Sequence, residues 1–184
     1  MNIWIILTII IVPLVLIMVI FLYNNLIRLK NQVKNSGAQI DVQLKRRNDL
    51  IPNLVETVKG YMKHEKTLLE NITKARSAVM KGGSIDKKAK ASNMLSNTLK
   101  SLFAVSENYP KLQANESFLQ LQEEITGTEN KISYARQHYN DITTKFNTKI
   151  QLFPNNVFAN MLGFSKENLF KATAEEKKNV KVKF

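Results

Sequence analysis

The stretch FLQLQEEITGTENKISYARQHYNDITTKF, from Phe118 to Phe146, decides the fold class of this chain. Its core-type side chains recur at alternating steps of three and four residues: Phe118, Leu121, Ile125, Thr128, Ile132, Ala135, Tyr139, Ile142 and Phe146. A repeat of about 3.5 residues places these side chains on one side of an α-helix and is typical of helices that pack at a shallow angle. The stretch therefore predicts a long helix that packs lengthwise against its neighbours.

Helical spacing continues on both sides of this stretch, and glycine and proline separate the segments. We predict helices over about 24–49, 50–81, 85–108 and 114–153 and a short helix over 156–162. The first boundary rests on Pro52, which disfavours helical backbone at Ile51, and on Asp49 as a candidate N-cap. Gly82-Gly83 separates the second and third helices, and Gly163 is placed to end the short one. The predicted fold is all-α, a bundle of three to four long helices with coiled-coil-like packing; whether Pro52 kinks or fully turns the chain stays open.

An apolar run from Ile3 to Leu22 is long enough to cross a bilayer. Only Thr8 and Pro13 interrupt it, and about twenty residues of helix span roughly 30 Å, the thickness of the hydrocarbon core. No Lys or Arg precedes the run and no small-residue cleavage site follows it, so we expect an uncleaved anchor over 1–23 rather than a secretory signal. Basic residues follow the run, which predicts a single-pass cell-membrane protein with its N-terminus outside and its C-terminal domain in the cytoplasm.

The chain is strongly basic, with 27 Lys and Arg residues against 15 Asp and Glu residues and a net charge of +12. A basic domain beside an anionic leaflet is attracted to lipid headgroups, so the lipid bilayer is the first expected partner. No nucleic-acid-binding motif accompanies the charge, and we expect no nucleic acid as a partner. The chain has no cysteine, which excludes disulfides, thiolate metal sites and a cysteine nucleophile.

Several long motifs of this chain resemble the LemA family of bacterial membrane proteins. They are YNNLIRLKNQV, QIDVQLKRRNDLIPNLVETVKGY, YPKLQANESFLQLQEEITGTENKISYARQHYNDITTKFNTKIQLFP and NNVFANMLGF. The similarity covers about 23–164. It implies an antiparallel bundle of long helices behind a single membrane span, but it implies no defined activity. The chain departs from the family pattern at Ser36-Gly37, where members tend to carry Ala-Trp, so the resemblance does not support a partner contact at that position.

The sequence contains no recognisable catalytic or metal-binding motif. His64 and His138 lack the Glu three residues earlier that a di-iron bundle requires, and His64-Glu65 is not followed by the second histidine of a zinc hydrolase. A GxSxG elbow and a glycine-rich phosphate loop are also missing. The acidic residues of the fourth helix are predicted to face solvent: Glu116, Glu123, Glu124, Glu129 and Asp141. We therefore predict no catalytic residue, no metal ligand and no cofactor, and we predict that the chain is not an enzyme.

One basic cluster is the candidate interaction surface. Lys45, Arg46 and Arg47 cover most of one helical turn, so they point in different directions. At least one of them is expected to pair with Asp41 or Asp49. Three interpretations stay open: a solvated helix end, an exposed contact for a partner protein or anionic lipid, or side chains that the acidic fourth helix receives within the bundle.

Two functions fit these observations. The first is a non-enzymatic interaction or scaffold module of the cell envelope, anchored by its span to the membrane and bound to a protein partner that the sequence does not identify. The alternative is a lipid-binding or membrane-remodelling module that acts through its basic surface and the amphipathic segment 156–164. Residues 165–184 are predicted to be a basic, disordered tail. The sequence does not indicate an oligomeric state.

Overall fold

The protein is described by a computed structural model over residues 3–170, with side chains given for Trp4, Leu7 and residues 9–170. This part of the chain is helical and contains no strand. Its helices are α1 (Ile3–Lys59), α2 (Lys66–Met80), α3 (Ile85–Ser106), α4 (Pro110–Gln113), α5 (Glu116–Lys149) and α6 (Asn155–Met161). The all-α prediction is confirmed. The described chain separates into two compact units, one made of 3–37 and 138–169 and the other of 38–137 with Phe170.

In the unit of 38–137, apolar side chains from α1, α2, α3, α4 and α5 meet in one core. Its buried members are Ile51, Leu54, Val58, Met62, Ile72, Ala75, Leu95, Leu99, Leu102, Leu112, Phe118 and Ile125. Asn115 Nδ2 donates to the Tyr61 hydroxyl at 3.2 Å, and further along α5 the Glu129 carboxylate binds Arg47. From the first contact to the second, the residue number rises from 115 to 129 on one segment and falls from 61 to 47 on the other, so α5 runs antiparallel to α1. Every side chain of the predicted seam from Phe118 to Phe146 is buried or half-buried.

The predicted helix boundary at Asp49 is wrong, because α1 continues through Pro52 to Lys59. Pro52 has no N–H to bind the carbonyl of Asn48 four residues earlier. Arg76 of α2 supplies the missing donor, since its Nε donates to the Asn48 carbonyl at 3.2 Å. Asn48 Nδ2 in turn donates a hydrogen bond to the Arg76 carbonyl at 3.4 Å. The helix therefore survives the proline, and the chain turns only after Lys59.

The other helix ends have local causes that the sequence partly indicated. Gly82 and Gly83 have φ of 62° and 113°, a backbone region that favours glycine, and they form the predicted turn between α2 and α3. Asn115 caps α5, because its Oδ1 accepts a hydrogen bond from the Phe118 N–H at 2.9 Å. α5 ends at Lys149, earlier than the predicted end near 153.

In the unit of 3–37 and 138–169, the first part of α1 packs with the end of α5 and with α6. α6 ends in a Schellman motif, in which the Phe164 N–H donates to the Ala159 carbonyl at 2.9 Å and the Gly163 N–H to the Asn160 carbonyl at 3.4 Å. Gly163 has φ of 74°, so the prediction that it ends this helix is confirmed.

The chain after α6 is partly ordered against the end of α5. Asn147 Nδ2 donates to the Glu167 carbonyl at 2.8 Å, and the Glu167 N–H donates to Asn147 Oδ1 at 2.9 Å. The Tyr139 hydroxyl also donates to the Asn168 carbonyl at 2.9 Å. The predicted disordered tail is therefore wrong for 165–170, because side chains of α5 bind this backbone. The rest of the predicted tail, 171–184, lies outside the described residues.

The N-terminal part of α1 has the length and composition of a membrane span. Within the described residues, α1 is the one helix that is long and apolar enough to cross a bilayer. Between Ile9 and Phe21 its side chains are exposed, apart from the half-exposed Val19. An exposed apolar helix of this length is compatible with a single-pass anchor, and it continues without a break into the bundle.

Candidate functional site

Arg47 lies at the centre of a polar cluster inside the helical bundle. Its side chain is completely buried. Nη1 donates to the Ser96 hydroxyl at 2.9 Å and to the Glu129 carboxylate. Nη2 donates to the Ser92 hydroxyl at 2.8 Å and lies 3.3 Å from the Ser92 carbonyl. This single side chain of α1 therefore bonds to both α3 and α5.

The partners of Arg47 are also bonded to one another. The Ser96 hydroxyl lies 2.9 Å from each carboxylate oxygen of Glu129. Arg136 Nη2 donates to the Ser92 hydroxyl at 2.7 Å, and the Arg136 guanidinium stacks over the Phe170 ring at 4.5 Å. We call the side chains of Arg47, Ser92, Ser96, Glu129 and Arg136 the Arg47 cluster. The two serine hydroxyls and the Glu129 carboxylate therefore form hydrogen bonds mainly within the cluster, with the guanidinium groups and with one another.

The charges of the Arg47 cluster are two guanidinium groups and one carboxylate. Burial lowers the pKa of the Arg47 guanidinium, the Glu129 carboxylate opposes that change, and the charge of Arg136 adds to it. Arginine nevertheless stays protonated at neutral pH. The cluster therefore contains a buried cation that one carboxylate compensates. Glu129 was predicted to face solvent, but only 36% of its side chain is exposed and its carboxylate binds Arg47.

The geometry of the Arg47 cluster suits holding helices in register better than it suits catalysis. Both terminal nitrogens of the buried Arg47 guanidinium donate to acceptors on two other helices, and sliding of those helices would break these bonds. No histidine belongs to the cluster. Across residues 3–170, no group of three or more His, Asp or Glu side chains is placed to hold a metal ion.

The three residues of the predicted basic surface separate in the structure. Lys45 is exposed and pairs with Asp49 at 2.6 Å, which confirms the expected short-range ion pair. Arg46 is also exposed. The interpretation of an exposed cluster is wrong for Arg47, because the helix turns this side chain toward α3 and α5. Of the three interpretations, the third describes Arg47, whose side chain binds the fourth predicted helix inside the bundle. Asp41 is bound instead by Lys88 of α3, with Nζ at 2.6 and 2.7 Å from its two oxygens.

A groove that sequence reasoning missed runs between the end of α1 and the start of α2. Its volume is about 720 Å³, and its apolar floor is formed by Val55, Met62 and Leu69. Lysines dominate its rim, which consists of Lys59, Lys63, Lys66, Glu70, Thr73 and Lys74. We call it the α1–α2 groove. The signal in the sequence was weak, because these residues belong to two helices whose turn was predicted at another place.

The amphipathic segment 156–164 is divided between interior and surface. Ala159 and Phe164 are buried, whereas Val157, Met161 and Leu162 are exposed. One side of this segment is therefore packed within its unit, and the other side is exposed.

Comparison with known proteins places the chain in a family. The model of the LemA family matches residues 36–184. Protein LemA of Metamycoplasma hominis is 30% identical over 159 residues, which cover 85% of this chain and 72% of that protein. The magnetosome proteins MamQ 1 and MamQ 2 of Paramagnetospirillum magneticum are each 24% identical over 174 residues, and the match spans 64% of their length. A family match over most of the chain, on an all-helical fold with one apolar N-terminal helix, shows that this protein belongs to the LemA family.

Proposed function

We propose that this protein is a single-pass membrane protein whose helical domain binds a partner protein and holds it at the cell membrane, without catalysing a reaction. The α1–α2 groove is the observation that carries the proposal. It combines an apolar floor with a charged rim, which is the composition of a protein-binding groove.

The charge of the groove indicates the kind of partner. Lys59, Lys63, Lys66 and Lys74 lie along the rim with Glu70 as the one carboxylate among the lining residues. An amphipathic helix with apolar side chains on one face and acidic side chains along its edges complements this arrangement. The apolar contacts supply affinity, and the lysines favour acidic partners over basic ones.

The N-terminal part of α1 supports the membrane part of the proposal. Its exposed apolar side chains have a favourable environment in lipid, and Arg28, Lys30 and Lys34 follow the apolar run. By the positive-inside rule this bias supports an orientation with the helical domain in the cytoplasm. The absence of catalysis is supported by the Arg47 cluster, because the buried Arg47 guanidinium binds both the Ser96 hydroxyl and the Glu129 carboxylate, and a carboxylate paired with a guanidinium is a weaker base.

The test is crosslinking from the groove in intact membranes. A photo-crosslinking amino acid at Lys63 of the full chain is expected to capture an acidic partner, and the double change Lys63→Glu and Lys66→Glu, with the crosslinker moved to Thr73, is expected to abolish the capture. Lys87→Glu with Lys90→Glu is the matched control, because both lysines are exposed on α3 and lie outside the groove.

Two results would contradict the proposal. If the groove variant and the α3 variant captured the same proteins to the same extent, the groove would not be the binding surface. A reporter fused after Phe184 and found outside the cell would overturn the proposed orientation.

A further inference from the structure

The corner between α5 and α6 exposes an apolar surface that no part of residues 3–170 covers. Leu152, Phe153, Val157, Met161 and Leu162 are between 47% and 83% exposed, with Phe153 and Met161 the most exposed. We call these side chains the α5–α6 apolar surface. Val157 and Met161 are four residues apart in α6 and therefore lie on the same helix face. Large apolar side chains grouped in this way are unusual on a water-facing surface and mark a contact with lipid or protein.

The structure places this corner beside the end of the apolar run. Phe164, which closes the Schellman motif of α6, lies with its ring 6.3 Å from the ring of Tyr23 and 6.3 Å from that of Phe146. Tyr23 directly follows the run Ile3–Leu22, at the position where tyrosine rings favour the headgroup region of a bilayer. Lys30 Nζ lies 5.5 Å from the centre of the Phe164 ring. α6 is thus held at the level where the span would leave the hydrocarbon.

Polar and basic groups border the α5–α6 apolar surface. A groove of about 350 Å³ reaches from Leu152 of that surface to the start of the bundle. It is lined by Asn25, Leu29, Thr144, Lys145, Thr148, Lys149 and Leu152. Two lysines, two threonine hydroxyls and an asparagine amide provide donors for a phosphate group, and the leucines continue toward the apolar surface. The parts of this unit outside the span carry six basic side chains and two carboxylates: Arg28, Lys30, Lys34, Lys145, Lys149 and Lys166 against Asp141 and Glu167.

We propose that the α5–α6 apolar surface inserts into the interface of the leaflet from which the span emerges, and that the groove with Lys145 and Lys149 binds the phosphate headgroup of an anionic phospholipid there. The protein then has two membrane contacts, a span and a shallow amphipathic corner. The proposal rests on the membrane anchor of the proposed function, and it adds a defined lipid contact to it. A protein partner on the same surface is the competing occupant, and the proximity of Tyr23 favours lipid.

The absence of cysteine from the chain allows a direct test with single fluorophore labels. Full-length protein is reconstituted into nanodiscs that contain anionic phospholipid, with one label at Met161→Cys, Met80→Cys or Ile17→Cys. Met80 is the matched control, because it is an exposed methionine at the end of α2. Nitroxides carried by the lipid near the headgroup are expected to quench the label at position 161 several-fold more than the label at position 80. A soluble quencher is expected to show the opposite order.

The label at Ile17 separates failure of this inference from failure of the anchor. If deep lipid nitroxides quench position 17 while position 161 behaves like position 80, the anchor stands and the second contact is refuted. If position 17 is not quenched either, the proposed membrane span itself fails.

The headgroup part of the proposal has its own comparison. Replacing the anionic phospholipid by a zwitterionic one, or changing Lys145→Gln with Lys149→Gln, is expected to reduce quenching at position 161. Lys87→Gln with Lys90→Gln is the charge-matched control and is expected to leave it unchanged. Equal quenching in both lipids and in both variants would overturn the role of the lysine groove.

Discussion

Removing the charge of Glu129 is expected to destabilise the bundle more than removing the whole side chain of Arg47. Arg47 is completely buried, whereas 36% of the Glu129 side chain is exposed. In Glu129→Gln the new amide still accepts a hydrogen bond, but Arg47 and Arg136 remain without a carboxylate in the cluster. In Arg47→Met the remaining carboxylate reaches water and stays beside Ser96, and the methionine fills most of the space of the arginine stem.

The magnitudes follow from the same exposures. Breaking a buried ion pair by removing one partner costs about 3–5 kcal/mol, and the partial exposure of Glu129 favours the lower end of that range. We expect Glu129→Gln to lower the free energy of unfolding by about 3 kcal/mol, which is roughly a hundredfold in the unfolding equilibrium. Arg47→Met is expected to lower the free energy of unfolding by about 1 kcal/mol. The double variant Arg47→Met with Glu129→Gln is expected to lower it by no more than that, because replacing a buried ion pair by uncharged groups is often neutral.

Denaturant unfolding of the full chain in mild detergent, followed by circular dichroism at the helix band, measures these differences. Glu124→Gln is the control, since Glu124 is exposed on the same helix, and a surface change of this kind is expected to stay within about 0.5 kcal/mol. The reasoning is refuted if Arg47→Met costs as much as Glu129→Gln, or if the double variant costs the sum of the two. Either result would mean that the hydrogen bonds and packing of Arg47, rather than its uncompensated charge, control stability.

The same unfolding assay tests the backbone features of the bundle. Arg76→Met is expected to lower the free energy of unfolding by about 1–2 kcal/mol, because the Asn48 carbonyl loses its donor. In a Pro52→Ala background, where the helical N–H is restored, the same change is expected to cost about 1 kcal/mol less. Equal costs in both backgrounds would show that Arg76 does not support the proline. Gly127→Ala is expected to stabilise by about 0.5–1 kcal/mol, because the position is inside α5 and an added Cβ meets nothing within 4 Å. Gly163→Ala is expected to destabilise by about 1 kcal/mol at its positive φ, and an unchanged midpoint would contradict the importance of the Schellman turn.

The local pattern of the sequence determined the helical elements of this protein. The 3.5-residue repeat from Phe118 to Phe146 predicted the side of α5 that is buried, because a helix places such residues on one side whatever it packs against. The apolar run from Ile3 to Leu22 indicated a membrane-spanning length in the same way. Gly82, Gly83 and Gly163 marked turns, because the backbone conformation at these positions is open to glycine without strain.

The tertiary structure alone decided three other features, and each depends on a partner far away in the chain. Pro52 stays within a helix because Arg76 on another helix replaces its missing donor. Arg47 is buried and Arg46 is exposed because they lie on different sides of α1, and only the side of Arg47 is covered by α3 and α5. The exposure of Phe153 and Met161 beside Tyr23 follows from the packing of α6. The spacing of residues along a sequence indicates helical periodicity, but it does not specify which distant side chain will contact a buried donor, carbonyl or ring. In this protein such long-range contacts form the candidate sites.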